Sequence, residues 1–154
     1  MPRVYVLSMY YKAMEKLIVY TDGGARGNPG PAGIGVVVMN GEGKVLKEIS
    51  QYIGKCTNNF AEYEALIRAF EFLVRLYAEK LREMEIEVRM DSELVVRQIT
   101  GQYKVKEPGL KEQFARIGVL RMSIAPNITF THVPREQNAR ADSLVNRALD
   151  EATK

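Results

Sequence analysis

Apolar and polar positions along this chain alternate between two periods, and the switches between them mark its elements. Residues 17–20 (Leu-Ile-Val-Tyr) form a short unbroken apolar run of β-formers, the pattern of a strand covered on both faces. Residues 32–39 repeat it, with Val36 to Met39 nearly continuous. Asn40-Gly41 is a strong hairpin signal leading into a third strand over 44–53, which predicts an antiparallel meander. The period then changes. After a loop at 54–59, Leu66, Ala69, Phe70, Leu73, Leu76 and Tyr77 recur at three and four, predicting a helix to about residue 80 with one face on the sheet. Alternation returns over 85–91, where Ile86, Val88 and Met90 share a face. A short helix over 92–100 is stopped by Gly101, and a polar loop over 102–109 carries Lys104 and Lys106. A helix over 110–122, a fifth strand over 127–133 ended by Pro134, and a last helix from about 138 follow; that helix buries Ala141, Leu144, Val145 and Ala148.

The order is β-β-β-α-β-α-α-β-α. Strands separated by helices favour parallel pairing through right-handed crossovers, so the expected architecture is α/β, a mixed sheet with helices on both faces.

Composition narrows this further. At 154 residues, 46% apolar and 27% charged, the chain fits one globular domain with an adequate core. A net charge of +3 permits a polyanionic partner without demanding one. The single cysteine, Cys56, excludes an internal disulfide and a Cys-based zinc site, and suits a reducing compartment; a cytoplasmic protein is expected. No apolar stretch approaches a membrane span, so no membrane partner is expected. Residues 1–13 make a poor signal peptide, and Met14 reads like a natural beginning just before the first strand. We read 1–13 as an N-terminal extension peripheral to function (an overcalled start, a loose tail or a short added strand) and 14–154 as a single domain.

Asp22 follows the first apolar run almost at once, and a carboxylate there is costly unless something cationic compensates it. The next eight residues hold four glycines, which let backbone approach a ligand closely, so an acid beside them could hold a metal ion against a phosphate. The plainer alternative is a tight turn whose Asp bonds its own backbone.

Three further acids sit where elements meet the core. Glu62 is in the first turn of the long helix, Asp91 at the end of the fourth strand, and Asp142 in the first turns of the last helix. Singly, each has a structural explanation. Asn59-x-x-Glu62 matches a capping box, Asp91-Ser92 could cap the short helix, and Asp142 suits a helix dipole. Clustered, the four would repel one another unless cations sat among them, and hard oxygen ligands select Mg²⁺ or Mn²⁺. Two such ions about 4 Å apart are a known arrangement for in-line phosphodiester cleavage.

These residues resemble type 1 ribonuclease H, the family that cuts the RNA strand of RNA–DNA hybrids. The matching motifs are Tyr20-Thr-Asp-Gly-Gly-x-x-Gly-Asn-Pro-Gly-Pro-x-Gly33, Thr57-Asn-Asn-x-x-Glu62, Met90-Asp-Ser92 and His132-x9-Asp142, in the family's order over about residues 14–152. The resemblance implies the ribonuclease H-like fold, a five-stranded mixed sheet of order 3-2-1-4-5 flanked by helices. It implies a metal site of Asp22, Glu62, Asp91 and Asp142 holding two Mg²⁺ or Mn²⁺ ions with substrate bound. Asp22 and Asp91 would be the central ligands, with Glu62 and Asp142 completing one metal each. The products would carry 5′-phosphate and 3′-hydroxyl ends.

The same resemblance gives substrate roles. Asn58 and Asn59 would contact the hybrid in its shallow minor groove, where 2′-hydroxyls mark the RNA strand. Asn28 is a weaker candidate of that kind, and Thr57 would touch a DNA-strand phosphate. His132, the sole histidine, keeps the family's spacing to the last Asp, where a mobile His helps water activation or product departure. Here Val133-Pro134-Arg135 follows it in place of a Gly-containing loop, and proline stiffens that stretch. Many members carry a Trp-containing basic protrusion after the residue matching Gly101; this chain has no Trp and only Tyr103-Lys-Val-Lys106. Modest, salt-sensitive binding by a monomer is expected. Met90, Leu94 and Val95 read as core. The alternatives are a broader nuclease that also cuts double-stranded RNA, a DNA-cutting integrase or transposase core, and a catalytically silent hybrid-binding module.

Overall fold

The structure is a computed structural model that describes residues 15–124 and 127–154; the expected extension at 1–13 lies outside them. Five strands form one sheet in the order β3-β2-β1-β4-β5. They are β1 (Lys16–Ala25), β2 (Gly30–Asn40), β3 (Val45–Cys56), β4 (Glu85–Met90) and β5 (Ile128–His132). β1, β2 and β3 pair antiparallel as a meander, while β1–β4 and β4–β5 pair parallel. The helices are α1 (Asn58–Tyr77), α2 (Glu93–Ile99), α3 (Pro108–Ile124) and α4 (Ala139–Ala152), with 3-10 turns at Ala78–Glu83 and Arg135–Asn138. No helix among the described residues is long and apolar enough to cross a membrane.

Strand alternation divides the core between two faces. Leu17, Val19, Val36 and Val38 pack with Tyr63, Leu66, Phe70 and Leu73 of α1, and this larger cluster extends to Ile117 of α3. On the other face, Tyr20, Val37 and Met39 meet Ala141 and Leu144 of α4.

Several boundaries differ from the sequence expectation. β1 runs on to Ala25, so the glycines after Asp22 begin inside a strand. β3 continues to Cys56 and α1 starts at Asn58, leaving Thr57 where a six-residue loop was expected. The Asn40-Gly41 hairpin is a wider turn: Asn40 N–H donates to the Lys44 carbonyl at 2.9 Å, and its side-chain Oδ1 accepts from Glu42 and Lys44. α1 ends at Tyr77, where Ala78 turns to a positive φ of 48° and the chain tightens into a 3-10 turn that buries Leu81. Leu76, expected on the buried stripe, is 57% exposed in the last turn.

Candidate active site

The site begins with a mismatch in strand length. β4 pairs with β1 only as far as Thr21–Met90, while β1 continues beside β2, with Asp22 opposite Gly35. Just past β4's end, Asp91 leaves the sheet beside the point where Asp22 has lost its neighbour on that flank.

Two glycines bring in the other acids. A β-carbon on Gly23 would lie 2.3 Å from the Ala61 carbonyl carbon, so only glycine lets the first turn of α1 rest on β1 there. That contact sets Glu62 beside Asp22. A β-carbon on Gly35 would lie 2.1 Å from the Ala141 carbonyl oxygen, and the close approach of α4 brings Asp142 in from the other face. The glycines therefore admit helix backbones to the sheet as well as bordering the cleft.

One carboxylate oxygen each from Asp22, Glu62 and Asp91 come within 4.8 Å of one another. Asp142 lines the same cleft, of about 350 Å³, and its charge acts on Asp22, but it stands outside that tight triad. Asp22 is 8% exposed. Burial, then the charges of Asp91, Glu62 and Asp142, push its carboxyl up to about 9. Burial and Asp91 push Glu62 up to about 8, against a hydrogen bond from Ser92 and the charge of Arg135. Asp91 is also raised by burial, opposed by Arg135 and the Asn138 side chain. These acids ionise together only if a cation joins them. The donor set is all hard carboxylate oxygen, without His or Cys, and fits a divalent ion of the Mg²⁺ or Mn²⁺ kind.

Two contributors escaped the sequence reading. Arg135 lies on the cleft wall, its charge acting on Glu62 and Asp91. It was legible only as part of a stiff loop, and Pro134, at φ −61°, starts the 3-10 turn that carries it. Asn138, 1% exposed, donates from Nδ2 to the carbonyl of Thr21 at 3.0 Å, at the last rung that β4 shares with β1. Its side chain also lies against Asp91. In the sequence it marked only the approximate start of the last helix.

The expected substrate residues separate. Thr57, not Asn59, caps α1, accepting from Phe60 N–H at 3.2 Å, so the Asn59 capping box does not form. Asn58 lines the carboxylate cleft, and its Oδ1 accepts from Ala25 N–H at 2.8 Å. Asn28 Oδ1 in turn accepts from Asn58 N–H at 3.1 Å. Both asparagines thus spend their oxygens bracing the loop, and their amide hydrogens have no partner among the described residues. Asn59 faces a neighbouring groove of about 550 Å³ with Gln98, Tyr103, Lys104 and Lys106. Leu94 lines it too and is 41% exposed, so it is not core, whereas Met90 and Val95 are buried. His132 ends β5 paired to Met90 and is exposed, outside the lining of the cleft.

A family model described as reverse transcriptase-like matches residues 20–148. Ribonuclease HI of Halobacterium salinarum is 43% identical over 133 residues, 86% of this chain and 64% of its own length. The fold superposes on LC11-RNase H1, isolated from compost by a metagenomic approach, with a TM-score of 0.86 and 63% identity, covering 92% of this chain and all of that one. A second structure of LC11-RNase H1, in complex with RNA/DNA hybrid, matches with a TM-score of 0.85 and 62% identity over 90% of this chain and 99% of that one.

Proposed function

The chain belongs to the type 1 ribonuclease H family, and on that premise we propose that it hydrolyses the RNA strand of RNA–DNA hybrids, with Mg²⁺ or Mn²⁺, leaving 5′-phosphate and 3′-hydroxyl ends. One observation carries this reading: three acids from β1, α1 and the end of β4 converge within 4.8 Å. It is supported by the 62% identity to a ribonuclease H1 crystallised with a hybrid. Asp22, Glu62 and Asp91 would hold the metal, and Asp142 would complete the set from the cleft's far side. Bound there, it would stabilise charge developing on the phosphate and acidify the attacking water.

The chain's own groups do the rest. Arg135 offsets negative charge at Glu62 and Asp91 as a phosphate enters. Asn58 offers its free amide hydrogens to a sugar hydroxyl, and Asn28 holds it in place. Asn59, Lys104 and Lys106 in the adjoining groove receive the DNA strand, and Thr57, the cap of α1, would touch one of its phosphates. His132, exposed at the end of β5 opposite Met90, would serve water activation or product departure from outside the cleft lining.

The test is cleavage of end-labelled RNA–DNA hybrid, double-stranded RNA and double-stranded DNA of one sequence in Mg²⁺, Mn²⁺ or EDTA, with Asp91→Asn as control. Cutting confined to the hybrid's RNA strand, and lost in EDTA and in the variant, is expected. Equal cutting of double-stranded RNA would widen the substrate. Hybrid binding without cleavage in either metal would remove the enzymatic reading.

A further inference from the structure

The carboxylate cleft has a second arginine on its wall. Arg26 stands just beyond the end of β1 and lines the cleft together with Asn146 and Leu149 of α4. Its guanidinium donates from Nη2 to Asp150 Oδ1 at 2.6 Å. Both side chains remain solvated, at 44% and 63% exposure. An exposed pair of this kind is worth little in stability, so it is easily exchanged for a better partner. Guanidinium has five donors in a fixed fork suited to a phosphate's oxygens, and this pair engages one nitrogen of it.

The surroundings explain why a cation is wanted. A nucleic-acid strand crossing the cleft brings phosphates besides the one being cut, close to Asp22, Glu62, Asp91 and Asp142. Arg135 answers that charge beside Glu62 and Asp91. Arg26 lies on the wall shared with α4, where Asp150 now holds it.

Building on the hybrid-cutting reading, we propose that Arg26 grips a non-scissile phosphodiester of the RNA strand, and that Asp150 occupies its guanidinium until that phosphate displaces it. Asp150 is then a competing anion that weakens substrate binding in exchange for keeping Arg26 ordered. It touches no reacting atom. Neutralising it frees Arg26 for the substrate; removing Arg26 abolishes the contact whatever stands at 150.

The experiment is hybrid binding by the full chain in Ca²⁺, followed by fluorescence anisotropy across a salt series, with kcat and KM in Mg²⁺. Arg26→Ala should raise Kd about tenfold and reduce the slope of log K against log salt by about one. Its effect should fall on KM rather than kcat. Asp150→Asn should lower Kd about threefold, and the double variant should match Arg26→Ala. Asp150→Asn that tightens binding equally with alanine at 26 would overturn the exchange, leaving a general field effect. So would an Arg26→Ala variant that cuts hybrid with unchanged Kd and slope. A wild-type chain that neither binds nor cuts hybrid would instead defeat the substrate reading on which this one stands.

Discussion

The carboxylate cleft and the groove next to it share the N-terminus of α1, with Asn58 facing one and Asn59 the other, yet they are built in opposite ways. In the cleft, each acid is fixed by backbone: a strand that outlasts its neighbour, and helices seated on Gly23 and Gly35. In the groove, Tyr103, Lys104 and Lys106 are exposed on a stretch without helix or strand. Chemistry on a phosphate needs ligands placed to a fraction of an ångström, whereas holding a strand by its charge tolerates movement. Backbone packing therefore fixes the position of each acid, while the lysines of the groove sit on an exposed, irregular stretch.

The sharpest way to test that division is Asp91→Asn. Loss of a ligand should cost several kcal/mol of transition-state stabilisation, at least about 10³-fold in kcat. In EDTA the variant should melt no lower than wild type, because it removes a charge from a repelling cluster. The raised carboxyls of Asp22, at about 9, and Glu62, at about 8, fix the sign of the pH effect. Between their ordinary values and these, the folded state binds more protons than the unfolded one, so metal-free stability falls as pH rises across that window. Thermal melts from pH 5 to 9 in EDTA and in Mg²⁺ should diverge towards the basic end.

Gly35→Ala comes next. A methyl driven into the Ala141 carbonyl should cost about 1–3 kcal/mol or more of stability and displace Asp142, lowering kcat as well; denaturant melts alongside kinetics check both. Asn138→Ala is a milder version. It leaves the buried Thr21 carbonyl unpartnered, about 1–3 kcal/mol, and should lower kcat more than it alters KM. The smallest effect on folding belongs to the groove. Lys104→Ala with Lys106→Ala should shift stability by less than about 0.5 kcal/mol. The pair should raise KM several-fold and cut the salt slope by about two if both lysines contact phosphate. A loss of kcat here instead would erase the contrast.

The elements and the four acids were legible in the sequence because both rest on local patterns, apolar period for the elements and an acid at the edge of each of four of them, whereas the strand order came from the resemblance to type 1 ribonuclease H. What stayed hidden depends on contacts distant in the chain. That Gly23 and Gly35 serve as seats for Ala61 and Ala141 follows from packing, and no run of residues announces it. Asn138 reads as a helix start until its partner, 117 residues away, is known. The capping box at Asn59 failed because Thr57, two residues earlier, offers its hydroxyl in the right place. Leu76 and Leu94 misled because apolar character alone does not say where an element ends or a groove opens.

The seat at Gly35 also has a consequence for when the protein becomes competent. Among the described elements α4 is the last in the chain, so during synthesis β1 and β2 leave the ribosome with the face that receives Asp142 still open. Asn138 and Arg135 emerge late as well. A nascent chain therefore carries Asp22, Glu62 and Asp91 with neither the anchor on the Thr21 carbonyl nor the fourth acid in place. The cleft has its full set of four acids only once α4 has packed against Gly35 and Asn138 has reached the Thr21 carbonyl.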